Sequence, residues 1–198
     1  MDHIDIILKA AECIKIGKKE DARSIITNEY QHISVSYAKR LMTIYEKLKI
    51  YINDGFIDRY SGKRLLFPNV LRIFTYELGG DFPFHQNWKM SGCHIAYWEM
   101  IPTYDHVIPI ARGGKDISEN IITTSQIMNS RKSNFLVEEI DFKIYPKGNM
   151  LEWDGMISWY KEYLKNNSDI LKDNYIFQWN KALNRIEEEK RRTTASTL

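Results

Sequence analysis

Apolar residues return every three or four positions at Ile4, Ile7, Leu8, Ala11 and Ile14. That is the spacing of one helix face, and Gly17 supplies a stop. A second short helix is predicted over 20–30. Leu41, Ile44, Tyr45, Leu48 and Ile52 mark the apolar side of a third, over 36–53, with Gly55 past its end. From residue 54 the pattern changes. "DGFIDRYSGKRLLFP" has the form of a hairpin with Ser61-Gly62 at its turn, and 69–78 returns to helical spacing before Gly79-Gly80. The stretch "DFPFHQNWKMSGCHIAYWEMIPTYDH" is aromatic and irregular.

Residues 104–110 are rich in β-branched side chains and predict a strand, with Pro109 suited to its end. Gly113-Gly114 allows a loop, 121–124 predicts a second strand, and Ser125 is a good N-cap for a helix from Gln126 through Lys132. Further on, "FLVEEIDFKIYPKGNM" predicts a helix end and an extended segment turning at Lys147-Gly148. Asp154 is placed to cap a helix reaching Tyr163, 176–190 predicts a last helix, and "RRTTASTL" has the composition of a frayed tail. The expected fold class is α+β. A helical N-terminal region spans 1–53, a central core spans 54–150, and a C-terminal helical region with a polar tail spans 151–198.

Composition narrows the picture only a little. At 198 residues, 43% hydrophobic and 13% aromatic, the chain can build a real core, and global disorder is not expected. A net charge of +2 decides nothing about nucleic acid, which needs only a local basic face. The third predicted helix is locally basic, with Lys39, Arg40, Lys47 and Lys49 against Glu46, and a solvated face is the simpler reading of it. No apolar run approaches the roughly 18 to 20 residues that span a bilayer, so no membrane partner is expected. "MDHIDIILKAAECIKIGKKE" has the wrong charge order for a secretory signal. Cys13 and Cys93 form no CxxC pair, which makes a cytoplasmic location the expectation.

The chemistry concentrates in "YDHVIPIARGGKDISENIITTSQIMNSRKSN", residues 104–134. Asp105 and His106 stand together, Asn120 follows fourteen residues after the histidine, Asn129 twenty-three after it, and Lys132 shares a helix face with Asn129. Ideal strand geometry would point Asp105 and His106 to opposite sides, so local twist must bring both to the rim if they cooperate.

These spaced residues, the hydrophobic-hydrophobic-Pro after the Asp-His pair and the "NSRKSN" ending resemble the HNH, or ββα-metal, nuclease family. The HNH domain of RNA-guided CRISPR nucleases has a similar run. About thirty residues carry the resemblance. It implies a ββα-metal unit within the central core and a metal-dependent endonuclease acting on DNA.

The residue types suit that chemistry. An imidazole with a pKa near 6.5 accepts a proton from water at neutral pH, which makes His106 the expected general base. Asp105 and the Asn129 carbonyl offer hard oxygens to one Mg2+ or Mn2+, which would relieve charge on the phosphate. The resemblance implies for Asn120 a structural part in the active site, tying the loop to the strand and orienting His106. Lys132 or Arg131 is expected to hold a neighbouring phosphate; Arg112 is either a DNA contact from the loop or, equally, a solvated loop cation.

Many HNH proteins pin this hairpin and helix with zinc held by two CxxC knuckles. Here those positions lack cysteine, so structural zinc is not expected. Cys93, His94 and His85 are the residues that would hold it. His94 is expected instead to support the active-site loop by a hydrogen bond. The alternative readings are a DNA-binding module that keeps the ββα shape without catalysis, and a helical adaptor whose N-terminal helices bind protein.

Overall fold

A computed structural model describes residues 2–32 and 42–195. It divides into two compact units, residues 1–37 and 38–198. The first is a helical hairpin of α1 (His3–Lys15) and α2 (Lys19–Glu29). The Asp2 side chain caps α1 by accepting Ile4 N–H at 3.3 Å. Gly17, at φ +79°, makes the turn between the helices. The buried positions are Ile6, Ala10 and Ala22, while Ile4, Ile7, Leu8 and Ile14 stay exposed. Ile7, Ala11 and Ile14 of the predicted face line an open groove with Ala22 and Ile26 of α2.

The second unit is mixed α and β, mostly helical, with one small antiparallel sheet. Its first described helix is α3 (Ile44–Asn53), and the expected start at residue 36 lies outside the described residues. Thr43 and Glu46 form a capping box: Thr43 N–H donates to Glu46 Oε2 at 2.8 Å, and Glu46 N–H to Thr43 Oγ1 at 3.2 Å. Lys39, Arg40 and Leu41 lie outside the described residues. The sequence grouped this helix with the N-terminal region, yet Leu48 and Tyr51 sit in the core of the second unit.

That core is built with α4 (Pro68–Leu78), α7 (Ile157–Asn166) and α8 (Asn174–Ala195). Phe56, Leu65, Phe67, Val70, Ile73, Tyr160, Ile176 and Trp179 fill it. Pro68 opens α4, where its missing N–H costs nothing. Asp154 accepts Ser158 N–H at 2.8 Å at the start of α7. The expected tail remains helical through Ala195, where Thr193 and Thr194 hydroxyls donate to the carbonyls of Glu189 and Lys190. Among the described residues no helix is long and apolar enough to cross a membrane.

A short helix, α5 (Ala96–Met100), leads from the aromatic segment into the sheet. Strands β1 (Pro102–His106) and β2 (Ile121–Ser125) pair antiparallel, with Asp105 opposite Ile122 and His106 opposite Ile121. β1 stops at His106 rather than at residue 110. The Asn120 side chain takes both backbone groups of Ile108, and Pro109 has no N–H to continue the ladder. Helix α6 (Gln126–Lys132) follows β2 directly, and Ser125 Oγ accepts Met128 N–H at 3.2 Å.

The hairpin expected over 54–68 shrinks to a single bridge between Ile57 and Arg64. Asp58, almost fully buried, takes the N–H groups of Tyr60 and Ser61 at 2.9 and 3.2 Å, so the chain turns instead of extending. The same carboxylate accepts the Thr124 hydroxyl and Ser125 N–H, both at 3.1 Å. Asp54 acts similarly one turn earlier: it accepts Thr123 N–H at 2.8 Å and pairs with Arg59 at 2.9 Å. Two buried carboxylates thus fasten the 54–64 turn to β2 and to the start of α6.

Candidate active site

β1 ends in Asp105 and His106, and its alternation survives to the last residue. The Tyr104 and His106 rings lie 6.4 Å apart, while Asp105 reaches Tyr60 and Lys132. Asp105 Oδ2 accepts the Tyr60 hydroxyl at 2.6 Å and pairs with Lys132 Nζ at 2.9 Å. Burial, then the bond to Asp105, pushes the Tyr60 phenol above its ordinary range, so it stays a donor. Asp105 Oδ1 has no hydrogen bond among the described residues, and the side chain is 14% exposed.

Lys132 differs from expectation. Its side chain is fully buried, and Nζ also donates to the His106 carbonyl at 2.8 Å. An ammonium enclosed by a carboxylate, a carbonyl and the Tyr60 ring cannot reach a phosphate in solvent. It is a strut between α6 and β1. The "KSN" helix end gives no sign of this, because spacing does not say which side of a helix meets a strand.

His106, on the opposite side of the strand end, holds Nε2 3.0 Å from Asp116 Oδ1, with side-chain exposures of 20% and 30%. Sequence reasoning missed Asp116. Two acids, Asp116 and Glu119, lie between the glycine pair and Asn120, and spacing does not say which of them meets the histidine. Nδ1 of His106 makes no hydrogen bond among the described residues.

Asn120 does hold the loop: Ile108 N–H donates to its Oδ1, and its Nδ2 donates to the carbonyls of Ile108 and Lys115, each at 2.9 Å. Gly114 is required in the same loop, because a Cβ there would stand 1.9 Å from the Ile108 carbonyl oxygen.

Asn129 is half-buried and stands one helical turn before Lys132, so it lies on the α6 face that meets β1. No hydrogen bond joins it to Asp105 among the described residues. Arg112 is turned away from the site into a bidentate pair with Glu139, at 2.7 and 3.3 Å. Arg131 is exposed and lies over Phe142, 5.6 Å from the ring centre, with its amino group near Met128 Sδ.

His94 stacks on Phe82 at 4.1 Å and accepts Ala96 N–H through Nδ1 at 3.2 Å. It supports the start of α5, not the loop over 107–120. The Cys93 sulfur accepts His85 N–H at 3.2 Å, and His85 Nδ1 accepts Asn87 N–H at 3.2 Å. Among the described residues no three His, Cys, Asp or Glu side chains gather as a metal cluster. The candidate donors are the open oxygen of Asp105 at the end of β1 and the side-chain carbonyl of Asn129 on α6. Both are hard oxygen ligands of the kind Mg2+ and Mn2+ accept, though two of them leave most of a coordination shell to water or substrate.

No protein-family model, no curated protein and no solved structure matches this chain.

Proposed function

We propose that this protein is a metal-dependent endonuclease of the HNH, ββα-metal kind, hydrolysing DNA phosphodiester bonds with His106 as general base. One observation carries the reading. An acid and an imidazole occupy the last two positions of a strand whose antiparallel partner runs straight into a helix bearing Asn129. Asp105 and His106 keep opposite sides of the strand, so the reading requires the phosphate to lie across the open strand end, past the last residue.

In this reading His106 takes the proton of the attacking water, and the partly exposed ring is open to solvent for that step. Asp105 Oδ1 and the Asn129 carbonyl hold Mg2+ or Mn2+, which when bound supplies charge stabilisation at the phosphate and leaving oxygen. Tyr60 and Lys132 fix Asp105 through its other oxygen, leaving Oδ1 in place for the ion. Asn120 acts through the loop and touches no substrate. Arg131, exposed on α6, takes a phosphate contact; Arg112 does so only by leaving Glu139.

The two buried carboxylates, Asp54 and Asp58, do for the turn and the start of α6 what zinc knuckles do in many HNH proteins. The test is incubation of the purified protein with supercoiled DNA in magnesium, manganese or EDTA. Nicking or linearisation with either metal and none in EDTA supports the reading. DNA retention without cleavage in any metal replaces it with a non-catalytic DNA-binding module.

A further inference from the structure

The site contains one acidic residue that the mechanism above does not use. Asp116 lies ten residues beyond His106, in the loop joining the two strands, and its Oδ1 stands 3.0 Å from His106 Nε2. A carboxylate can only accept a hydrogen bond, so the imidazole nitrogen facing it must carry a proton. In the neutral ring the lone pair then resides on Nδ1, the nitrogen without a hydrogen bond among the described residues. We propose that Asp116 is a positioning residue that fixes His106 as the Nε2–H tautomer and thereby makes Nδ1 the base. Its consequence for cleavage rests on the nuclease reading; its effect on the ring does not.

The loop is constructed to hold this acid still. Asn120 Nδ2 donates to the carbonyl of Lys115, the residue immediately before Asp116, at 2.9 Å. Gly114 N–H donates to the Pro109 carbonyl at 3.0 Å, and the close approach of Gly114 to Ile108 excludes any side chain there. Val107 N–H donates to the Asn120 carbonyl at 2.9 Å, closing the loop against the end of β1. The chain of contacts therefore runs from Asn120 through the Lys115 peptide to Asp116, and from Asp116 to the ring. Asn120 thus holds in place the residue that orients the histidine. A partner hydrogen bond of this kind fixes both tautomer and ring direction, as it does for imidazoles that bind metals.

The experiment uses the full chain with 15N-labelled histidine. The His106 ring signals are assigned by their loss in His106→Ala and recorded at a pH where the ring is neutral. The wild type is expected to show a hydrogen-bonded proton directly attached to Nε2 and an unprotonated Nδ1. Asp116→Ala should lose that bonded proton signal, and Asp116→Asn, which retains an acceptor oxygen, should keep it. A wild-type ring protonated at Nδ1, or one unchanged in Asp116→Ala, overturns the proposal whether or not the protein cuts DNA.

With cleavage measured in parallel, Asp116→Ala should lower kcat about 10- to 100-fold, the usual effect of removing such a partner. KM should stay the same, and Asp116→Asn should recover most of the rate. A rise in the magnesium needed for half-maximal rate would make Asp116 a metal ligand and would also overturn the proposal.

Discussion

Replacing Lys132 with Met keeps an unbranched side chain of similar reach and removes the ammonium. In the folded protein that ammonium is fully buried, 2.9 Å from Asp105 Oδ2 and 2.8 Å from the His106 carbonyl. The substitution leaves a carboxylate without its counter-ion and a carbonyl without its donor. Breaking a buried pair by removing one partner costs about 3–5 kcal/mol. Asp105 keeps the Tyr60 hydroxyl and is 14% exposed, which puts the expected loss at the lower end, about 3 kcal/mol. Domains of this kind have roughly 5–15 kcal/mol in hand, so the variant should still fold. Equilibrium urea unfolding followed by tryptophan fluorescence reads the loss directly. With slopes of about 1–3 kcal/mol per molar urea, the midpoint should fall by about 1 to 3 M. A loss below about 1 kcal/mol, typical of an exposed pair, would refute the strut assignment. If Lys132 instead held a phosphate, stability would be unchanged and DNA retention would weaken with a reduced salt dependence.

Asp58→Ala should be at least as severe, because it leaves three N–H groups and one hydroxyl without their acceptor at about 1–3 kcal/mol for each buried group left unmade. Asp58→Asn should fall between wild type and Ala in the same urea titration, since it keeps one acceptor oxygen but turns an N–H2 group toward a donor. His106→Ala should lose about 10²- to 10⁴-fold in cleavage rate with its circular dichroism intact; cutting within a few-fold of wild type would remove His106 as the base. EDTA should abolish cleavage reversibly and move the melting temperature by less than about 2 °C, because the core rather than an ion holds the fold. A large drop on chelation would point to a structural metal at Cys93, His94 and His85.

What the sequence determined by itself is local. Ser125 starts α6 because a hydroxyl before the helix satisfies an N–H that the helix leaves open, and that needs no distant partner. The two strands and the loop between them were legible for the same reason, from β-branched runs broken by Gly113-Gly114 and Pro109. The capping box at Thr43 and Glu46 was also there to read, although the apolar spacing pointed to an earlier start.

The tertiary structure decided everything that depends on which side chains meet. Periodicity on α1 marks an apolar stripe, but full burial falls on Ile6 and Ala10, with Ala22 of α2. Lys132 looks in sequence like any cation at a helix end. Only the packing of α6 against β1 encloses it and turns a charge suited to phosphate into one half of a buried pair. Asp54, Asp58 and Asp116 carry no periodic or motif signal, because a carboxylate's role is set by the donors that reach it. Those donors come from up to 69 residues away in the chain. Spacing along a sequence specifies the direction of a side chain from its own backbone; what stands opposite it is fixed only when the whole chain has folded.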